Sequence, residues 1–170
     1  GGTLVNRALS DGEADELRER AGELPSLAIN GREASDLRLI AIGAFSPLRG
    51  FMTGSDYRET VNGSTLASGL PWTIPITLSA SREQAANLLE GKEVALRNAD
   101  DELLGALTVE DRFEYDKTLE AREVYRTADE AHPGVVNLYA QGPVLLGGKV
   151  RAIGTRPQGV YEQTDRPPAQ

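Results

Sequence analysis

Apolar positions first recur at helical spacing. Ser10-Asp11-Gly12-Glu13 has the form of a capping box, in which the serine accepts from the third backbone N–H and the glutamate reaches back. Ala14, Leu17, Ala21 and Leu24 follow three and four residues apart, which predicts one buried helix face, and Gly22 and Pro25 end it. Leu37, Ile40 and Ala41 predict a second helix over residues 35–41, with Gly43 as its stop. Thr53-Gly54-Ser55-Asp56 reads as another capping box, opening a short helix near residues 55–61.

The period then changes. Ile74, Ile76 and Leu78 alternate with Thr73, Pro75, Thr77 and Ser79, the pattern of a half-buried strand. Pro75 cannot donate to a ladder, which places that strand at an edge or a bulge. Ser81 caps a short helix bearing Ala85, Leu88 and Leu89, and Gly91 ends it. Val94 and Leu96 mark a strand, residues 98–102 a turn, and residues 103–115 one long or two short strands. Residues 120–125 read as helix, Pro133 suits the first turn of another ending near Gly142, and residues 144–153 read as a last strand. Without a regular strand–helix repeat, the fold class is α+β, with a small, mostly antiparallel, partly closed sheet. Residues 1–154 form the predicted domain. Residues 155–170, with Pro157, Pro167 and Pro168 and no periodicity, read as a linker or the start of a further domain.

Composition narrows the chemistry. The 170 residues include 18 Lys+Arg, 26 Asp+Glu, one His and no Cys, for a net charge of −8. Disulfides, cysteine-based zinc sites and thiol catalysis are excluded, as is a two-histidine metal site. The acidity argues against holding nucleic acid by its phosphates. Residues 98–130 alone carry 11 acidic and 4 basic side chains. A carboxylate cluster for a metal is one reading, but Asp100, Asp101 and Glu102 are consecutive and lack the alternating pattern of a calcium loop. A solvated hairpin and helix face is the simpler account. No apolar run approaches the roughly 18 residues of a membrane span, and a soluble, cytoplasmic setting fits.

Candidate motifs are few. Gly147-Gly148-Lys149 fails as a phosphate loop, because position 143 is Pro and position 150 is Val, so it reads as a strand-borne glycine pair. No dinucleotide fingerprint or nucleophile elbow occurs, and Asn62-Gly63-Ser64 marks a turn. His132 is the one imidazole available for acid–base work. Preceding Pro133, it should be extended just before a helix, where it can cap backbone N–H groups or meet a partner surface.

Four ordered segments carry a resemblance. They are Gly1-Gly2-Thr3-Leu4-Val5-Asn6-Arg7, then Gly43-Ala44-Phe45-Ser46-Pro47-Leu48-Arg49-Gly50-Phe51-Met52 with Asp56-Tyr57. Leu66-Ala67-Ser68-Gly69-Leu70-Pro71-Trp72-Thr73-Ile74-Pro75-Ile76-Thr77-Leu78 comes third. Glu120-Ala121, Val124-Tyr125, Asp129 and His132-Pro133-Gly134-Val135 complete the set. In order and spacing, residues 1–153 resemble the N-terminal domain of the ATP sulfurylase (sulfate adenylyltransferase) family. The resemblance implies a PUA-like pseudo-barrel with flanking helices. It also implies a parent enzyme that joins ATP and sulfate into adenosine 5′-phosphosulfate and pyrophosphate, with magnesium on the nucleotide.

In that family the chemistry lies in the following domain, on a Gln-x-Arg-Asn-Pro motif and a His-x-x-His pair. Here the one Arg-Asn pair, Arg97-Asn98, lacks both the Gln and the Pro, and a single His excludes the second motif. The resemblance therefore implies a domain without catalytic residues, metal or cofactor of its own, packed against a catalytic domain in cis or in trans and helping to orient it or build a homo-oligomer. Ser46, Pro47, Arg49, Phe51, His132, Pro133 and Gly134 are its candidate interdomain contacts. Arg126 and Ala128 depart from the Gly and Thr usual in the family, which leaves the shape of that loop open. The alternatives are a free-standing assembly or regulatory module and, against the charge, an RNA-binding PUA-like domain.

Overall fold

A computed structural model describes residues 4–154. The predicted linker, residues 155–170, lies outside the described residues, as do Gly1, Gly2 and Thr3 of the first motif. Six helices and six strands follow in the order α1 (Asp11–Arg20), β1 (Ser26–Ala28), α2 (Gly31–Ala41), β2 (Gly50–Phe51), α3 (Gly54–Gly63), β3 (Ser79–Ala80), α4 (Arg82–Asn87), β4 (Glu93–Arg97), β5 (Leu103–Glu114), α5 (Lys117–Val124), α6 (Pro133–Ala140) and β6 (Val144–Ala152). The sheet runs β1-β4-β5-β6-β2, with β3 also on β6. All pairs are antiparallel except β1 with β4. The fold is α+β as expected, but the sheet stays open: β1 and β2 end the order and do not pair with each other.

Local chemistry sets the helix starts. The Glu13 carboxylate accepts from the Ser10 backbone N–H at 2.9 Å, as the sequence predicts. Helix α2 begins four residues before its predicted start, because Asn30 caps the Glu33 N–H and Glu33 returns to the Asn30 N–H, both at 3.0 Å. The buried Glu33 also accepts from the Ser79 N–H and hydroxyl, so one carboxylate ties α2 to β3. The second predicted box fails. Thr53 makes no side-chain cap; the Asp111 carboxylate accepts from the Gly54 N–H instead, at 2.7 Å, and Asp56 turns to the Ala67 N–H. A residue 57 positions away thus supplies the cap, beyond the reach of any local pattern.

Two other expectations change. Residues 73–78 run extended beside β2 and β6 without forming a ladder strand. The Met52 N–H donates to the Ile76 carbonyl and the Leu146 N–H to the Leu78 carbonyl. Ile76 and Leu78 are buried as the alternation predicts, but Ile74 is 55 % exposed and Pro75 and Thr77 are buried too, so the alternation breaks down at those three positions. Residues 103–114 form one long strand, whose register shifts between Val109 and Asp111. That bulge sends Glu110 outward and frees Asp111 to reach α3.

One core lies between the sheet and α2, α3 and α4, with Leu27, Ile40, Leu78, Leu96, Leu107 and Leu146 almost fully buried. A smaller cluster of Ala121, Val135 and Leu138 sits beneath Tyr115, Tyr125 and Tyr139.

Candidate functional site

The Gly147-Gly148 pair lies in β6, as the strand reading requires. A Cβ on Gly50 would stand 1.8 Å from the Gly148 carbonyl oxygen, and one on Gly147 would stand 2.4 Å from that of Met52. Three glycines therefore let β2 cross β6 at backbone contact. Beside this crossing opens a cleft of about 300 Å³, lined by Pro47, Arg49, Asp56, Ser68, Glu110 and Lys149 over an apolar floor that includes Leu48 and Met52.

Some predicted contacts meet here and others do not. Ser46 is committed within the chain: its hydroxyl donates to the Gly43 carbonyl at 2.6 Å and accepts from the Val5 N–H at 2.9 Å. Pro47 and Arg49 are exposed on the cleft wall; the Arg49 carbonyl accepts from the Val150 N–H, and its guanidinium has no polar partner among the described residues. Phe51 is 2 % exposed, so its ring is core and not contact surface; pairing with Gly148 pulls it inward. None of His132, Pro133 and Gly134 lines the cleft. They start α6, where His132 Nδ1 accepts from the Gly134 N–H at 3.1 Å and Pro133 occupies the first turn. Gly134 lies against the Tyr125 ring, 2.5 Å from where its Cβ would be. Only the exposed edges of His132 and Pro133 remain for a partner.

The motif segments hold one another. Leu4 packs on Gly43, Phe45 meets Trp72 edge-on at 5.9 Å, and the buried Tyr57 hydroxyl donates to the Glu120 carboxylate at 2.8 Å. Burial raises the pKa of Glu120, while the Tyr57 hydrogen bond and the charges of Arg32 and Lys117 oppose the rise. Burial likewise raises Tyr57 and Tyr115 and lowers Lys117, whose ammonium donates to the Tyr139 and Gln141 carbonyls. No local pattern signals this junction, because its partners are 63 residues apart.

The loop left open resolves at Arg126, which has φ 58°. A side chain there strains the left-handed backbone, and glycine does not. Arg126→Gly should therefore raise stability by about 1 kcal/mol in urea unfolding. An unchanged or lower midpoint would contradict the strain.

In the cleft the Lys149 ammonium is held by Glu110 at 2.6 Å, and Arg49 stands on the same wall as the carboxylates of Asp56 and Glu110. Among the described residues no three His, Cys, Asp or Glu side chains gather to hold a cation. Of the 11 carboxylates in residues 98–130, eight are exposed, spread along the hairpin, the α5 cap and the loop before α6. Also among the described residues, no helix is long and apolar enough to cross a membrane.

Comparison with known proteins adds context. The family model for a PUA-like domain matches residues 1–155. A sulfate adenylyltransferase of Synechococcus sp. is 49 % identical over 170 residues, covering 100 % of this chain and 43 % of the relative. A probable bifunctional SAT/APS kinase of Sorangium cellulosum is 44 % identical over 169 residues, covering 99 % of this chain and 29 % of the relative. Among solved structures, a hexameric APS kinase from Thiobacillus denitrificans matches with TM-score 0.73 at 26 % identity, over 99 % of this chain and 29 % of that one. The chain spans less than half the length of these relatives.

Proposed function

The chain belongs to the PUA-like domain family, and from that premise we propose that it is the non-catalytic domain of a cytoplasmic sulfate adenylyltransferase. ATP with magnesium and sulfate would react on a catalytic part that packs against it, giving adenosine 5′-phosphosulfate and pyrophosphate. The observation that carries this reading is identity along the whole chain to a sulfate adenylyltransferase more than twice as long.

The site chemistry supports it. Attack of sulfate on the α-phosphate brings two anions together and needs preorganised cations and N–H donors. The chain has a net charge of −8, and its motif residues are spent on mutual packing. Pro47, Arg49 and the edges of His132 and Pro133 are the proposed contacts to the catalytic part, placed by Ser46, Phe51 and Gly134 beneath them. Assembly into an oligomer belongs to the same reading, since the structural neighbour is hexameric.

Sequencing the gene past the codon for Gln170 tests the reading. The expected result is a continuing frame that encodes Gln-x-Arg-Asn-Pro and a His-x-x-His pair. A stop codon there would favour the free-standing assembly or regulatory module instead.

A further inference from the structure

Residues 60–81 contain no Asp, Glu, Lys or Arg, and neither do residues 39–48, in a chain that is 26 % charged. Burial accounts for only part of this. Within residues 62–74, ten positions are exposed and all are uncharged, where an ordinary protein surface would carry charge at roughly 25–35 % of positions. Leu70 is 48 % exposed, Ile74 55 % and Leu4 37 %, three of the six large apolar side chains exposed among the described residues.

The fold gathers the two uncharged stretches. The Trp72 ring stands edge-on to Phe45 at 5.9 Å, and the Trp72 indole N–H donates to the Ile74 carbonyl at 2.9 Å. Leu4 lies over Gly43, two residues from Phe45. The result is a face with no charged side chain of its own and aromatic rings at its middle, bordered by Asp56, whose carboxylate accepts from the Ala67 N–H; charge-poor, aromatic composition is found at the centre of protein interfaces. It adjoins the cleft, whose wall includes Leu66 and Ser68 of the same loop.

We infer that this face, centred on Phe45, Trp72 and Ile74, docks an apolar, charge-poor surface of the catalytic part of the same polypeptide. The inference rests on the reading of the chain as one domain of a longer sulfate adenylyltransferase. Two observations choose that occupant over a second copy of the chain. The face exposes only three large aliphatic side chains and the rims of two rings, a small apolar centre for a free-standing interface that buries about 800 Å² per partner. A partner on the same chain needs less area, since a short tether supplies an effective concentration on the order of millimolar. Furthermore, more than half of the Synechococcus relative lies outside the matched 43 %, so a tethered partner of ample size is available.

The test is hydroxyl-radical footprinting of two proteins. One is the 170-residue chain alone. The other is a chimera in which it replaces the matched 43 % of the Synechococcus sulfate adenylyltransferase. Leu89 and Leu119, exposed elsewhere, serve as internal references. The expected result is a severalfold drop in oxidation of Leu70, Trp72 and Ile74 in the chimera, with the references unchanged. Ile74→Asp should leave the thermal midpoint of the isolated chain unchanged and lower that of the chimera. Undiminished oxidation in a chimera that releases pyrophosphate overturns this inference alone. A chimera that releases none overturns the reading on which it rests, and this inference with it. Equal oxidation of the chain at low and high protein concentration excludes self-association; a concentration-dependent drop would make the occupant a second copy and overturn the assignment.

Discussion

Gly148→Ala lowers stability by at least about 3 kcal/mol, the upper range for overpacking a close-packed site. Gly148 has φ 152°, and a Cβ there would lie 2.0 Å from the Thr108 carbonyl oxygen and 2.9 Å from the Glu110 nitrogen. Both neighbours are ladder backbone at the β5 bulge, so neither can swing away as a side-chain tip could. Either β5 or β6 must shift, and β2, Arg49 and the cleft shift with β6. For a chain of this length the loss corresponds to a fall of roughly 6–12 °C in thermal midpoint. Gly12→Ala is the matched control: it lies in helix α1 with no atom within 4 Å of the new Cβ, so it should be neutral or slightly stabilising. A Gly148→Ala midpoint within a degree or two of the control would refute the close-approach account.

The second large effect is at Glu120. Glu120→Ala removes the acceptor of the buried Tyr57 hydroxyl and opens a void between α3 and α5, at a cost of about 2–4 kcal/mol. Glu120→Gln keeps an acceptor and separates the charge from the hydrogen bond. Because burial raises the folded pKa of Glu120 above the ordinary 4.5, the carboxyl contributes stability that is fully present at low pH. That contribution is lost as pH rises from the unfolded value through the folded one. The stability of the Gln variant relative to the parent should therefore increase as pH rises from 4.5 to 7. Asp36, pushed up to about 6 by burial against the opposing charge of Arg32, moves the parent in the same direction and cancels in that difference. Urea unfolding at several pH values reads the effect, and a difference independent of pH would show that Glu120 is not buried as an acid.

Much of the fold was legible because local chemistry decided it. The Ser10 and Ser81 caps, the β4–β5 turn around Asn98 and the proline start of α6 all depend on residues within four positions of one another. The misses depend on partners far along the chain. Residues 73–78 alternate like a strand, but their backbone groups meet β2 and β6 only at single points, and Pro75 turns inward. Helix α3 is capped by Asp111, and that cap exists only because a bulge in β5 frees the residue.

The site divides in the same way. The segment from Ser46 to Phe51 was found by resemblance, and the structure gives it a cleft, yet Phe51 is core because the pairing of β2 with β6 turns it inward. Glu110 belongs to no candidate motif, and Lys149 enters only through the phosphate-loop pattern that fails. Their pairing across the bulge and the Gly147-Gly148 pair has no signature in either segment alone. His132 was recognised as a possible cap, and its geometry shows what that requires: Nδ1 accepting from Gly134, with Tyr125 against the glycine.

The central claim is that this domain supports sulfate activation without performing it. Pyrophosphate release from ATP, sulfate and magnesium measures that directly, comparing the 170-residue chain alone with the chimera that carries it in place of the matched part of the Synechococcus enzyme. The predicted result is turnover by the chimera and none above the blank by the chain alone. Sustained turnover by the isolated chain, sulfate-dependent and proportional to its concentration, would contradict it.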